Sequence, residues 1–376
     1  MSTAPPIFVL GRFPPPYDGQ SVMTEQTAKI LETGWNVVRI NSSFQGNSHV
    51  EIFGQWNIAK FLHYPRVTLR SRKLLRRFPD APVVWPSISP TPIGHFRDLV
   101  AVLLAFRKTH NVYAAIHWGD FDRLFRSRLT RYTARLLVRR VRGFVFLDGL
   151  AEKCADWIPP EKRFTIPNTI DEATRCTDEE VIEKQSNRMR RESLNVLYLS
   201  NMIPSKGYLD VLAAMNILHT QGLRFHASFV GRWQSEQDQQ SFMKQISDLR
   251  LDDCVTVHGG ISDRPVLKRM YLDADAFVLP TYYPAEAQPL SILEAINSGT
   301  PVVTTRHAGI PSMLRESANE GLFVEPRNPQ EIAESLRQIN DVNRWRKYSD
   351  AAIQRFRSHF SPEAVREKWM WMLAQQ

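Results

Sequence analysis

Residues 274–314 read ADAFVLPTYYPAEAQPLSILEAINSGTPVVTTRHAGIPSML, and this stretch narrows the fold more than any other. Ala276 to Leu279 is a short apolar run closed by Pro280, the pattern of a buried strand. A loop follows to Gln288. Pro289, Leu290, Ile292, Leu293, Ala295 and Ile296 then recur at helical spacing and stop at Gly299, a residue suited to the end of a helix. Pro301 to Val303 opens the next strand. Strand, loop, helix and strand in this order form one right-handed crossover of a parallel sheet.

Two carboxylates mark this unit. Glu286 lies in the loop and Glu294 one turn into the helix, with seven residues between them. Pro289 has no N–H to lose at the helix start, so the first-turn amides of Leu290 and Ser291 lie between the two acids. A helix N-terminus at the carboxyl end of a parallel strand suits a diphosphate, and a flanking carboxylate suits sugar hydroxyls. The same letters also fit a capping box, Ser291-x-x-Glu294, in which Glu294 only closes the helix.

The rest of the chain repeats this grammar. Ile7–Leu10 reads as a strand running into a proline-rich loop, with Ser21 as the cap of a helix over 22–33 and Gly19 and Gln20 just before it. Helix 96–108 precedes a strand at Val112–Ile116, which ends at His117. A histidine at such a strand end is a candidate for chemistry or a structural residue. Asp120 and Asp122 read as helix caps rather than metal ligands. Leu194–Leu199 is a strand leading through Asn201 and Lys206 into a helix. Phe225–Val230 is another, ending at Gly231 and Arg232. Residues 41–80 look less regular, and 176–192, polar and without apolar period, read as a linker. The final helix, opened by Ser361-Pro362-Glu363, carries Val365, Trp369 and Met372 on one face. The resulting organisation is α/β: residues 1–175 form one doubly wound domain and residues 193–360 the other. Ligands are expected in a cleft at the carboxyl ends of the strands.

Charge separates the halves. Residues 1–170 carry a net charge of +12 and the remainder −3, within a chain total of +9. Arg123–Gly143 reads as one amphipathic helix, with Phe125, Leu129, Tyr132 and Leu136 on one side and Arg123, Arg126, Arg131, Arg135 and Arg139 among its cations. That pattern suits an anionic membrane surface or a solvated helix face. Nucleic acid is disfavoured, because the segment lacks exposed interleaved aromatics beyond Tyr132 and no nucleic-acid motif accompanies it. Three scattered cysteines give neither a disulfide framework nor a zinc site. The N-terminus lacks a signal-peptide pattern, and no apolar run is long enough to span a bilayer. The expected location is cytoplasmic, peripheral at the inner face of the plasma membrane.

These motifs together resemble the retaining glycosyltransferases of family four, which have the GT-B fold of two Rossmann-like domains facing a cleft. The resemblance covers nearly the whole chain and is most specific in EAQPLSILEA, Glu286 to Ala295, which matches the family's two-glutamate motif. NVLYLSNMIPSKGYLDVL, PPPYDGQS, HWGDF and IPNTID match its diphosphate lysine strand, N-terminal donor loop, histidine loop and crossing segment. The resemblance implies that Glu286 meets the donor sugar and Glu294 the nucleotide ribose. Lys206 and the amides of Leu290 and Ser291 would stabilise the leaving diphosphate, and His117 would lie near donor sugar and acceptor. It implies front-face transfer with retention, a UDP- or GDP-sugar donor, and no metal or other cofactor. It also implies that residues 361–376 return to the first domain. Gly19, Gln20, Asn201, Gly231 and Arg232 complete the expected donor contacts. Asn201 replaces a common arginine, and Gln20 stands where a second glycine is usual. The implied activity is hexose transfer to a lipid-linked or polysaccharide acceptor in cell-surface glycan synthesis. Another GT-B enzyme, phosphorylase or epimerase, and a non-catalytic sugar-nucleotide or nucleic-acid binding protein are the alternatives.

Overall fold

The computed structural model describes residues 6–15, 19–43, 58–86, 88–105 and 111–375. The chain divides into two compact units: Met1–Asn168 with Val365–Gln376, and Thr169–Ala364. Each is a parallel six-stranded sheet with flanking helices.

The first unit contains β1 Pro6–Gly11, α1 Gly19–Glu32, β2 Asn36–Asn41, α2 Ile58–Leu75, β3 Val83–Trp85, α3 Pro92–Ala105 and β4 Val112–Ile116. After these come α4 Arg123–Arg126, α5 Arg131–Arg140, β5 Gly143–Phe146 and β6 Arg163–Thr165. The strand order is β2-β1-β3-β4-β5-β6, with every pairing parallel. The central strands are apolar throughout, because a parallel sheet is covered on both faces; all five residues of β4 are buried. The C-terminal helix supplies part of this core. Val365, Trp369, Met372 and Leu373 pack with Ile7, Val9, Ala28 and Leu31, so the last helix belongs to the first unit, as the family resemblance implies.

The second unit contains α6 Asp178–Met189, β7 Leu194–Leu199, α7 Tyr208–Thr220, β8 Phe225–Val230, α8 Glu236–Asp248, β9 Val255–His258, α9 Arg264–Asp273 and β10 Ala276–Leu279. It continues with α10 Leu290–Asn297, β11 Val302–Thr305, α11 Ile310–Met313, β12 Leu322–Val324, α12 Pro329–Asn340 and α13 Val342–Arg355; α14 Pro362–Ala374 then leads back to the first unit. Its strand order, β12-β11-β10-β7-β8-β9, is again all parallel. From β7 the chain winds outward one way to β9, then restarts at β10 beside β7 and winds the other way. The reversal between β7 and β10 is the topological switch point, where loops diverge and leave room for a ligand.

The structure departs from the sequence reading in several places, among them α3, which begins at Pro92 rather than 96. The first helix begins at Gly19 rather than 22, so Ser21 is buried within its first turn instead of capping it. The segment 41–80 contains the helix α2. Residues 176–192 are not a linker: Thr177 and Glu180 form a capping box that opens α6. This helix buries Val181, Lys184, Gln185 and Arg188, a helical period carried by polar residues whose head groups find partners. Lys184 donates to the carbonyl of Tyr271 at 2.7 Å and to Thr300. Gln185 donates to Ser349 and Asp350. Finally, Arg123–Gly143 is two helices, not one. The hydroxyl of Thr130 donates to Leu124 O at 2.7 Å and closes the break. Phe125 is buried, whereas Leu129 and Tyr132 are more than 60% exposed, so they share no common face with it. Residues 106–108 of the expected 96–108 helix, and residues 16–18 of the proline-rich loop, lie outside the described residues.

Candidate active site

The second unit brings Lys206 and Glu286 together across the switch point. Lys206 follows β7 in a 3₁₀ turn, Pro204–Lys206. Gly207 then adopts φ +82°, and an added Cβ would lie 2.7 Å from the Pro280 carbonyl oxygen, so only glycine lets the two strand ends approach this closely. Glu286 lies in the loop after β10. Its carboxylate accepts from Lys206 Nζ at 2.6 Å and from Thr281 Oγ1 at 3.1 Å. Lys206 Nζ also stands 4.8 Å from the Tyr283 ring centroid. Both side chains of the ion pair are nearly buried, so each keeps the other's charge compensated.

The loop itself is tied on both sides. Tyr282 N donates to Ser205 O, Gly309 N donates to Ala287 O, and His307 Nε2 lies 2.8 Å from Tyr283 O. The Lys206–Glu286 pair thus sits on fastened backbone, the condition for electrostatic preorganisation.

Beyond the loop, α10 opens at Leu290 with Pro289 as its N-cap and no side-chain cap. The capping-box alternative for Ser291 and Glu294 is therefore not realised. Glu294 turns away from the helix start: Arg264 Nη1 donates to Oε1 at 3.2 Å, and Tyr271 Oη donates to Oε2 at 3.0 Å. Burial pushes the Glu294 carboxyl above the usual range, opposed by Arg264 and by the Tyr271 hydrogen bond. The amides of Leu290 and Ser291, in the first turn, have no intrahelical carbonyl to bond. The Lys206–Glu286 pair and the N-terminus of α10 thus both follow the carboxyl ends of β7 and β10, while Glu294 is held by α9.

Arg264, Tyr271 and Thr281, which orient the two carboxylates, are not legible in the sequence. Arg264 and Tyr271 belong to α9, 30 and 23 positions before Glu294, and no local pattern marks them.

Gly231 ends β8 for a packing reason. A Cβ there would fall 1.8 Å from Ser200 O. Arg232 is exposed and lays its side chain against Gly260. Asn201 is exposed beside β7, and its carbonyl accepts from Tyr198 Oη at 3.4 Å.

In the first unit, His117 stands at the carboxyl end of β4. Both of its ring nitrogens are buried without a hydrogen bond of normal geometry among the described residues. Burial lowers its pKa to about 4, with Asn168 opposing the shift, so near neutral pH the ring is an uncharged imidazole. Asp120 Oδ1, in the same loop, is buried without a partner among the described residues, and Lys153 Nζ fastens the loop through Gly119 O at 3.0 Å. Gly19 begins α1, and a Cβ there would meet no described atom within 4 Å; its neighbour Gln20 accepts from Thr24 Oγ1 through its carbonyl.

The arginine-rich segment divides by partner. Arg126 pairs with Asp122 at 2.8 Å. Arg131 stacks on Tyr132 and donates to its hydroxyl. Arg123, Arg135 and Arg139 have no ion pair among the described residues. At the amino ends of β4 and β5, opposite His117, a cavity of about 400 Å³ is lined by Arg139, Arg142, Lys162, Tyr113 and Phe164. Lys162 Nζ donates there to Val138 O, in the last turn of α5, and to Val141 O just beyond it.

Comparison with known proteins agrees with this geometry. Residues 180–355, within the second unit, match the family model of glycosyl transferases group 1. WcaL of Salmonella typhimurium, named as a candidate colanic acid biosynthesis glycosyltransferase, is 26% identical over 76% of this chain and 70% of its own length. The amylovoran biosynthesis glycosyltransferase AmsK of Erwinia amylovora is 29% identical over 36% of this chain, the match spanning only a third of that relative. Among solved structures, Anabaena Alr3699/HepE in complex with UDP and glucose superposes with TM-score 0.70 at 15% identity, covering 98% of this chain and 99% of the other. Sucrose-phosphate synthase from Thermosynechococcus elongatus superposes with TM-score 0.74 at 16% identity, covering 99% and 98%. The likeness to the solved structures establishes the fold; the family match and the named relatives establish the class of enzyme. The chain is a glycosyltransferase of GT-B fold, and part of its second unit is similar to the group 1 family.

Proposed function

We propose that this enzyme transfers a hexose, with retention of anomeric configuration, from a UDP- or GDP-sugar to a lipid-linked or polysaccharide acceptor during cell-surface glycan synthesis. The observation that carries the proposal is the Lys206–Glu286 pair at the switch point, beside the uncapped N-terminus of α10. A departing nucleoside diphosphate needs positive charge where its own charge develops. An ammonium and a helix N-terminus supply it. On this reading Lys206 and the amides of Leu290 and Ser291 take the diphosphate, with Gly231, Arg232 and Asn201 around it. Glu286 accepts from the sugar hydroxyls, and Glu294, oriented by Arg264 and Tyr271, accepts from the ribose. His117, Gly19 and Gln20 contribute from the first unit. The proposal assigns no metal.

The names of the relatives, in colanic acid and amylovoran biosynthesis, support a polysaccharide setting. The UDP and glucose bound by the Anabaena structure support a nucleotide-sugar donor. The net positive first 170 residues, with Arg123, Arg135 and Arg139 unpaired, support a cytoplasmic enzyme peripheral to an anionic membrane. Among the described residues no helix is long and apolar enough to cross a membrane.

A nucleotide-sugar panel tests the donor by thermal shift, since a bound donor stabilises according to its affinity. One UDP- or GDP-sugar is expected to raise the melting temperature well above the others, and a flat response across the panel contradicts the reading. NMR of the product's anomeric proton tests retention, and an inverted product overturns that part.

A further inference from the structure

On α3, five large apolar side chains face outward. Ile93, Phe96, Val100, Leu103 and Leu104 are 36–69% exposed. On a helical wheel they fall within an arc of about 100°. The opposite arc, Gly94, His95, Asp98, Leu99, Ala101, Val102 and Ala105, is buried. The helix is therefore amphipathic in an unusual sense, with a packed inner face and a second apolar face that nothing described covers. A contiguous stripe about 16 Å long on a soluble surface marks an interaction site.

Charge decides the partner. α3 packs between α2 and α5, and His95 Nε2 bonds Thr133 Oγ1 across the latter contact at 2.9 Å. On the α2 side stand the exposed Arg66, Arg70 and Lys73, and on the α5 side Arg131 and Arg135. The single acid of α3, Asp98, is buried and paired with Arg97. Neither α5 nor α2 contains an acidic residue. An apolar stripe between two cationic rows matches the boundary of an anionic bilayer, where acyl chains lie below negative headgroups. A second copy of this chain fits poorly, because a two-fold contact would bring each copy's cationic rows onto the other's.

We propose that α3 lies in the membrane plane, with Ile93, Phe96, Val100, Leu103 and Leu104 entering the acyl boundary of an anionic bilayer. This rests on the membrane part of the proposed function and moves its anchor from the arginine segment to α3, the arginines serving as headgroup contacts.

Flotation with phosphatidylglycerol-containing and neutral vesicles tests it, comparing wild type, Val100→Glu/Leu104→Glu and Arg131→Glu/Arg135→Glu. The wild type should bind anionic vesicles and retain a measurable fraction at about 0.5 M salt, where the Debye length is about 4 Å. The α3 variant should bind about tenfold to a hundredfold more weakly at every salt concentration, given the hydrophobic contribution of two such side chains. The arginine variant should lose binding mainly at low salt. Circular dichroism and melting temperature check the fold, and Val100→Ser/Leu104→Ser replaces the glutamate variant should that one unfold. If the α3 variants bind like the wild type while the arginine variant does not, the α3 proposal fails and the membrane reading stands. If the wild type binds no anionic vesicle, both fail. If the wild type is instead a dimer that the α3 variant converts to monomer, the stripe is a self-interface and the proposal is overturned.

Discussion

In the second unit, Arg188 and Arg191 meet Asp275, Arg264 meets Glu294, Arg315 meets Glu320, and Lys206 meets Glu286. In the first unit, Arg66, Arg70, Arg123, Arg135 and Arg139 have no carboxylate partner among the described residues. The two units solve different problems with the same residue types. Paired charges near burial hold a constellation in place before a ligand arrives, because breaking such a pair leaves an uncompensated charge. Unpaired exposed charges add little to the fold and leave their field available to an outside partner.

The sharpest way to break this contrast is to remove one partner in the second unit. Lys206→Ala should lower kcat for donor turnover about a hundredfold to a thousandfold, the loss typical of removing one group that stabilises developing charge. It should also destabilise the unit by about 3 kcal/mol, since Glu286 is left nearly buried and unpaired. Steady-state kinetics and urea unfolding read both effects.

Next in size is Tyr271→Phe, which deletes one of the two donors to Glu294. Donor KM should rise roughly tenfold with a smaller change in kcat, because the group acts on ribose binding and not on the reacting bond.

A third test uses pH. Burial holds Lys184 down to about 7, with nearby Asp275 opposing the shift; in the unfolded chain it titrates near about 10.4. Between these values the unfolded chain binds more protons, so this group makes stability rise with pH across that window. Lys184→Met should flatten the rise, measured as the difference between wild-type and variant unfolding free energies from pH 6 to 10. An unchanged slope would place the ammonium in a better solvated setting.

The smallest effect belongs to the first unit. Arg135→Ala should change stability by no more than about 0.5 kcal/mol, as for other unpartnered surface side chains. A larger loss would mean that the unpaired cations are structural after all, and the contrast between the units would weaken.

What the sequence disclosed follows the same division. The strands and the crossover at 274–314 were legible because buried parallel strands are uniformly apolar and their breakers are Pro280 and Gly299. The two glutamates were legible as a pair, yet their orientation was not. Glu294 faces Arg264 and Tyr271, residues that only the fold brings near, so a local pattern suggested a cap that does not form. The helix α6 was hidden because Lys184, Gln185 and Arg188 bury their stems and direct their head groups to Thr300, Ser349 and the carbonyls of Arg191 and Asn340; apolar periodicity cannot register such a face. The arginine segment misled in the other direction. Its apolar spacing implied one continuous face, but α4 stops at the extended Ser127 and the Thr130 hydroxyl closes the break, so Leu129 and Tyr132 end up in solvent. The outward stripe of α3 was equally invisible, since an apolar helix reads as core until exposure shows which side is packed.

The most direct test of the central claim is the release of nucleoside diphosphate from the donor identified by thermal shift, measured for wild type and Glu286→Gln. Glutamine keeps the shape of the loop but removes the charge that pairs with Lys206 and the second acceptor oxygen offered to the sugar. Turnover at least about a hundredfold below wild type, with circular dichroism unchanged, is the result this account predicts. Glu286→Gln turning over donor at the wild-type rate would contradict it, and would move the reacting centre away from the β7–β10 switch point.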